Sequence, residues 1–145
     1  MIDGVSLTPL ARFTNEQGTV SRMLRSTDAV FSKFGEIYFS SVPTGMKKDW
    51  RLHKSLTMNL AVPVGEVRFV LVDTRPGSPT HGLIIRYDIG EGDYRLLSVP
   101  PGIWMTFGNF RDSTALIANC ASEPHDPSEV ERRAPDDPPV PFTWE

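Results

Sequence analysis

Apolar and polar residues alternate along most of the chain, and a period of two residues predicts β-strands rather than helices. The alternation is found in a series of short segments, at 19–25, 34–42, 56–62, 67–72, 83–88, 94–99, 103–107 and 114–119. Proline and glycine turns separate several of them, for example at 43–45, 63–65 and 100–102. Short strands at this spacing are typical of an antiparallel sandwich or barrel. A helical turn or two is indicated only weakly, at 27–33.

Composition limits the kinds of partner and compartment that need to be considered. The chain has 145 residues and a net charge of -3, with a pI near 5.6, which argues against general electrostatic binding of nucleic acid. No apolar run approaches the ~18 residues that a membrane span requires, and the first residues lack the layout of a secretion signal. The single cysteine, Cys120, allows no internal disulfide and follows an apolar stretch. We therefore expect a cytoplasmic protein with a buried structural thiol.

The chain changes character after Cys120. Prolines recur from Pro124 to Pro141 and acidic residues accompany them, which disfavours regular structure. The last residues, however, include the apolar side chains of Val140, Phe142 and Trp144. We predict a single barrel domain over 1–122, with 123–145 as an extended segment packed on it; a solvated tail is the alternative.

The spacing of several turn residues matches a known pair of motifs. The first group, with the spacing G-x5-H-x-H-x4-E-x6-G, consists of Gly45, Arg51, His53, Met58 and Gly65. The second, with the spacing P-x-G-x2-H-x3-N, consists of Pro100, Gly102, Met105 and Asn109. Both spacings resemble the signature motifs of the cupin superfamily. The resemblance implies an all-β fold, the cupin-type double-stranded β-helix or jelly-roll barrel.

The residues at the four metal-ligand positions of these motifs do not suit a metal ion. Arg51, Met58 and Met105 occupy three of the positions, and only His53 is a usual ligand. Residues two apart in a strand face the same way, so we expect all four side chains to line the interior of the barrel. One imidazole beside a guanidinium and two thioethers does not supply the nitrogen and oxygen donors that Zn²⁺, Fe²⁺ or Mn²⁺ require. We expect no metal and no other cofactor.

His53 has two interpretations. It is either a general base in a substrate pocket or a core histidine that is hydrogen-bonded to backbone. As a base it needs a carboxylate partner, and Asp49 is close in sequence on the same alternating face. The other two histidines, His81 and His125, lie in predicted loops and are expected at the surface.

Cations and tryptophans near His53 are candidates for ligand binding. The cations are Lys47, Lys48, Arg51 and Lys54. They form either a phosphate-binding lip or a solvated strand edge, where lysines prevent pairing with other chains. Trp50 and Trp104 either stack on a sugar or base or belong to the core.

A longer stretch of sequence points to one branch of the cupins. The segment 65–82 reads GEVRFVLVDTRPGSPTHG and resembles the pattern G-x-V-x-D-V-x-V-D-x-R-x-x-S-P-T-x-G of dTDP-4-dehydrorhamnose 3,5-epimerases and their relatives. Further segments resemble other motifs of this family and occur in the same order along the chain: 15–18, 50–53, 101–107, 125–131 and Trp144. The resemblance covers nearly the whole chain, which looks like a short, divergent branch of this family.

The resemblance implies a metal-free barrel, usually a homodimer that exchanges strands. Such epimerases invert C3 and C5 of a 4-keto nucleotide sugar; a histidine takes a proton and a tyrosine returns one on the other face. His53 falls on that histidine, whereas Asn119 and His125 stand in the places of two tyrosines. The early arginine of the family is replaced by Gln17, and a nearby glutamate by Arg22. The shorter C-terminal region implies that the carboxylate partner of the histidine is missing.

We therefore predict a nucleotide-sugar epimerase or isomerase of deoxysugar or surface-polysaccharide biosynthesis, with His53 as the catalytic base. The predicted substrate-binding residues are Lys48, Arg51, Met58, Trp104, Met105 and Asn119. The expected partners are a nucleotide diphosphate sugar and a second copy of the chain. Two alternatives stay open: a catalytically silent barrel that binds a nucleotide sugar or acts as a scaffold subunit, and a metal cupin with unexpected ligands.

Overall fold

Twelve strands and one three-residue 3₁₀ helix make up the regular structure of the chain, for which a computed structural model describes residues 1–145. The strands are β1 (Ser6–Pro9), β2 (Arg12–Asn15), β3 (Gly18–Ser21), β4 (Glu36–Val42), β5 (Trp50–His53), β6 (Met58–Val64), β7 (Glu66–Asp73), β8 (Ile84–Gly90), β9 (Arg95–Val99), β10 (Ile103–Gly108), β11 (Ala115–Ala121) and β12 (Val130–Arg133). The all-β prediction is confirmed. The helical turn expected at 27–33 is absent, and those residues form only turns and bends. No helix is long and apolar enough to cross a membrane.

The strands form two antiparallel five-stranded sheets. The first has the order β1-β9-β6-β11-β4 and the second the order β12-β5-β10-β7-β8, while β2 and β3 form a separate hairpin. Strands that are distant in sequence lie side by side in both sheets, which is the arrangement of a jelly roll. The largest apolar cluster contains residues from both sheets. It includes Met58, Leu60 and Val62 of β6 together with Phe69 and Leu71 of β7, as the two-residue period requires.

The glycines of the motifs form turns that other residues rarely adopt. Gly45, Gly65 and Gly102 have φ angles of 80°, 78° and 87°. A side chain at Gly65 would also approach Ala115 to within 2.9 Å. The motif asparagine, Asn109, is buried and donates to the carbonyls of Val42 and Ser113. These motif residues therefore hold the turns of the barrel in place.

The Asp-x-Arg-x-x-Ser-x-Thr part of the 65–82 segment is structural as well. The buried Asp73 carboxylate accepts hydrogen bonds from the Arg75 side chain at 2.9 Å and from the Ser78 and Thr80 hydroxyls at 2.6 Å. The Arg75 bonds, aided by the hydroxyls, hold the pKa of Asp73 well below its ordinary value although burial opposes this. The lowered pKa of Asp73 means that its ionised carboxylate stabilises the folded protein at neutral pH. This contribution to the free energy of unfolding is lost as the pH falls below 3.8, the ordinary pKa of an aspartate. Removing one partner from such a buried network costs about 3–5 kcal/mol.

The C-terminal residues extend the second sheet and cover its outer face. The expectation that prolines prevent regular structure after Cys120 is wrong for β12, because no proline lies within its four residues. This strand pairs with β5, in a register that places Val130 opposite His53. Further on, Val140, Phe142 and Trp144 pack against a cluster built on Trp50 and Trp104.

Candidate active site

A cavity of about 240 Å³ opens between the two sheets. It is lined by Tyr38, Ser40, Lys48, Asp49, Arg51, His53, Met58, Leu60, Phe69, Met105, Thr106, Phe107, Ile117 and Asn119. The four positions at which cupins bind metal, here Arg51, His53, Met58 and Met105, all line it, as the motif spacing predicts. A volume of this size is below the ~300–1,000 Å³ of sites that enclose drug-sized ligands, so it suits a single sugar ring rather than a whole nucleotide sugar.

His53 is paired with Glu129 at the wall of this cavity. The imidazole Nδ1 lies 2.5 Å from Oε1 of Glu129, and both side chains are about nine-tenths buried. The carboxylate accepts a hydrogen bond from Nδ1–H, which leaves the lone pair of the imidazole on Nε2. Nε2 has no hydrogen-bond partner in the protein. This arrangement is that of a base oriented by a carboxylate.

Glu129 is held as a carboxylate by its neighbours. Burial would raise the pKa of Glu129, but bonds from His53 and from backbone amides hold it below its ordinary value. Its second oxygen, Oε2, accepts hydrogen bonds from the backbone N–H groups of Lys54 and Ser55 at 3.1 and 3.2 Å and from the Ser55 hydroxyl. The expected absence of a carboxylate partner is therefore wrong. Asp49 lines the cavity, but the partner of His53 is Glu129, 76 residues away in sequence.

Backbone pairing explains how residues so far apart in sequence come together. The pairing of β12 with β5 brings the end of the 3₁₀ helix, Pro127–Glu129, beside His53. On the other side, the amide of Gly102 donates to the His53 carbonyl at 2.8 Å, which ties the 100–102 turn to the same residue. The position of the base is thus fixed from both sides by main-chain bonds.

Two cations face the cavity near this pair. Burial and the neighbouring Arg132 lower the pKa of the Arg51 guanidinium, which still remains charged. Its Nε is buried and has no hydrogen-bond partner. Lys48 lines the same cavity, and its carbonyl accepts from the Thr106 hydroxyl at 2.6 Å. A buried donor without a partner is costly, so the cavity is suited to a ligand that brings an acceptor or a negative charge.

Tyr38, which the sequence analysis did not single out, lies on the facing sheet. It belongs to β4, and Asn119 on the adjacent β11 donates to its hydroxyl at 2.8 Å. The amide oxygen of Asn119 is buried and has no partner. The alternation along β4 puts Tyr38 and Ser40 on one face and Ile37 and Phe39 on the other, but it does not tell which face points inward. In the structure Tyr38 and Ser40 line the cavity, and Tyr38 is 36% exposed, against 54% for Ile37 and 65% for Phe39.

Several other predicted residues lie away from the cavity. Trp104 does not line it: the side chain alternates with Met105 along β10 and packs with Trp50 on the outer face of the sheet. The prediction that Trp104 packs on a sugar or base in the cavity is therefore wrong. Lys47 also turns away, with its ammonium group 5.8 Å from the Phe110 ring centroid and 5.9 Å from that of Trp144. The predicted lip of four cations is thus reduced to two.

The predictions for Cys120, His81 and His125 agree with the structure. Cys120 is a buried free thiol whose pKa is raised by that burial. His81 and His125 are exposed in loops, and Lys54 lies on the surface 3.9 Å from Glu131. His125 does not line the cavity.

The fold and the site define a cupin-type barrel with an acid–base pair inside it, and no three His, Cys, Asp or Glu side chains cluster as a metal site would require. The sequence model of the dTDP-4-dehydrorhamnose 3,5-epimerase family matches residues 1–145, and the chain belongs to that family.

Individual relatives agree with this assignment. The chain is 27% identical to the spore coat polysaccharide biosynthesis protein SpsL of Bacillus subtilis, over 99% of this chain and 97% of SpsL. A dTDP sugar isomerase from Desulfovibrio desulfuricans is 42% identical, with a TM-score of 0.95, over 99% of this chain and 92% of the isomerase. NovW, a 4-keto-6-deoxy sugar epimerase from Streptomyces spheroides, shares the fold at 20% identity, with a TM-score of 0.87, over 99% of this chain and 75% of NovW.

Proposed function

We propose that the protein is a nucleotide-sugar epimerase or isomerase that removes a proton next to a sugar carbonyl, without a metal or other cofactor. The observation that carries this proposal is the His53–Glu129 pair, whose unpartnered Nε2 lies at a cavity of the size of a sugar ring. Similarity to a dTDP sugar isomerase and to a polysaccharide biosynthesis protein supports a dTDP-linked keto sugar as the substrate. The pathway would be deoxysugar or surface-polysaccharide biosynthesis, in the cytoplasm.

The residues around the cavity suit each part of this reaction. Nε2 of His53 accepts the proton, and Glu129 stabilises the imidazolium that results. The electrons of the broken C–H bond move to the carbonyl oxygen, and Arg51 and Lys48 stabilise the negative charge that develops there. Met58 and Met105 provide an apolar wall for the ring, and Asn119 offers its free amide oxygen to a sugar hydroxyl. The diphosphate and nucleotide would lie outside the cavity.

Incubation with nucleotide sugars in D₂O tests the proposal. We expect the wild-type protein to incorporate deuterium at a carbon next to the carbonyl of dTDP-4-keto-6-deoxyglucose or a related keto sugar. Mass spectrometry and NMR of the recovered sugar locate the label, and a parallel sample with EDTA should give the same rate. Binding without exchange across a panel of such sugars would contradict the proposal and favour a silent, ligand-binding barrel.

We further propose that the protein is a homodimer formed through the edge of its first sheet. β4 is an edge strand, and its outward side chains Ile37 and Phe39 are 54% and 65% exposed. Phe34, just before the strand, is 63% exposed. An unprotected edge with apolar side chains is a surface that a second copy can cover.

Analytical ultracentrifugation tests the dimer. We expect a wild-type mass of twice 16.2 kDa and a shift towards the monomer in the Phe39→Lys variant, because a charge in a buried interface is costly. Leu83→Lys is the matched control, since Leu83 is also an exposed apolar residue but lies in the β7–β8 connection. A wild-type protein that sediments at 16.2 kDa at micromolar concentration would contradict the proposal.

A further inference from the structure

Proton abstraction alone does not invert a carbon centre; a second group must return a proton on the opposite face. His53 belongs to β5 of the second sheet, so a ring in the cavity would have the base on one side. Apart from His53, the titratable side chains that line the cavity are Tyr38, Lys48, Asp49 and Arg51. Of these, only Tyr38 lies in the first sheet, which faces His53 across the cavity.

We propose that Tyr38 is the proton donor of the reaction, held in place by Asn119, on the face of the sugar opposite to His53. The inference rests on the proposed function and assigns its second catalytic residue. It also accounts for an asparagine where related epimerases have a tyrosine: the phenol has moved to the neighbouring strand, directly opposite Asn119 in the β4–β11 register.

The hydrogen bond between these two residues leaves the phenolic proton free. Nδ2 of Asn119 donates to the Tyr38 oxygen at 2.8 Å, so the tyrosine acts as acceptor there and keeps its own O–H for another partner. No other protein group bonds to this hydroxyl. The buried, unpartnered Oδ1 of Asn119 beside it is a further place for a ligand donor such as a sugar hydroxyl.

Tyr38 and Arg51 line the same cavity. Burial and the neighbouring Arg132 lower the pKa of the Arg51 guanidinium, and the nearby Tyr38 and Asp49 oppose this. A cation in the same cavity stabilises the negative charge that a tyrosine oxygen carries after it has given its proton to the substrate. Arg51 would thus serve both the developing enolate and the phenolate that is formed when the proton leaves.

The step can be written so that protons and electrons balance. Nε2 of His53 takes the proton from carbon, and the C–H electron pair becomes the carbon–carbon double bond of an enolate. When the carbonyl re-forms, the O–H bond of Tyr38 breaks and its proton joins the same carbon on the other face. The phenolate then takes a proton from solvent and the imidazolium releases one, which restores both residues.

The Tyr38→Phe variant separates the two half-reactions. It removes only the hydroxyl oxygen, so His53 still exchanges the substrate proton for deuterium and returns it on the same face. We expect formation of the inverted product to fall at least about 100-fold, while deuterium uptake into recovered substrate persists. Tyr94→Phe is the matched control, because Tyr94 lies in a separate apolar cluster away from the cavity, and we expect both rates to be unchanged.

The outcomes distinguish this inference from the proposed function. A Tyr38→Phe variant that forms inverted product at the wild-type rate would overturn the role of Tyr38 and leave the function intact. Equal loss of exchange and of product would also overturn it, since Tyr38 would then act in binding. A wild-type protein that exchanges deuterium but inverts no centre contradicts the donor role, and one that exchanges nothing removes the proposed function itself.

The positioning role of Asn119 has its own readout. An Asn119→Leu variant should lose inverted product by a larger factor than exchange, because it removes both the bond to Tyr38 and the amide oxygen offered to the sugar. The loss of inverted product relative to exchange should not add to that of Tyr38→Phe in the double variant, because both changes disable the same donor. Additive losses would show that Asn119 acts independently of Tyr38.

Discussion

The His53→Asn variant is expected to lose deuterium exchange by about 10²–10⁴-fold while it still folds and binds dTDP, because general-base catalysis contributes a factor of this size. The fold should persist, since the Glu129 carboxylate keeps its bonds to the Lys54 and Ser55 amides after the imidazole is gone. Exchange rates in D₂O, thermal unfolding and dTDP titration measure the three properties.

A matched histidine substitution controls for nonspecific effects of the change. His81 is exposed in the β7–β8 connection, so His81→Asn should exchange deuterium at the wild-type rate. A His53→Asn variant that retains most of the exchange activity would contradict the assignment of His53 as the base. Another group in the cavity would then have to take the proton.

The Glu129→Gln variant is expected to lose about 10²–10⁴-fold in turnover, with little change in the apparent affinity for substrate. The amide oxygen can still accept from Nδ1, but the negative charge that stabilises the imidazolium is gone. A comparable loss follows neutralisation of the aspartate that orients the base in a serine protease triad. Steady-state kinetics separate kcat from KM, and the expected change lies in kcat.

The next carboxylate along the chain, at the start of β12, provides the control for Glu129. Glu131 is exposed and lies 3.9 Å from Lys54, so Glu131→Gln should have wild-type kinetics. A Glu129→Gln variant with an unchanged kcat would mean that the close contact with His53 is structural rather than catalytic. The free energy of unfolding, measured in urea, should then show the larger change.

The parts of the fold that depend on local patterns could be predicted from the sequence. The two-residue period locates β6 and β7, and the spacing of Gly45, Gly65 and Gly102 predicts turns that the structure contains. The same spacing places Arg51 and His53 at the cavity. In each case the physical constraint, alternation of faces or a positive φ, acts within a few residues of chain.

The parts of the site that depend on long-range pairing could not be predicted in this way. Glu129 lies 76 residues from His53 in sequence. The two meet only because β12 pairs with β5 at the edge of the second sheet. Trp104 looked like a ligand-stacking residue, but the C-terminal segment covers the outer face on which it lies. The role of Tyr38 does not follow from the alternation along β4, because only the tertiary structure shows which face of that strand points inward.

A crystal structure of the Glu129→Gln variant with dTDP-4-keto-6-deoxyglucose bound tests the central claim most directly, because this variant keeps the imidazole but turns over slowly. We predict a sugar ring between the two sheets, with the carbon next to its carbonyl about 3–3.5 Å from Nε2 of His53. A sugar bound outside the barrel, or an Nε2 that is hydrogen-bonded to the protein instead, would contradict the account.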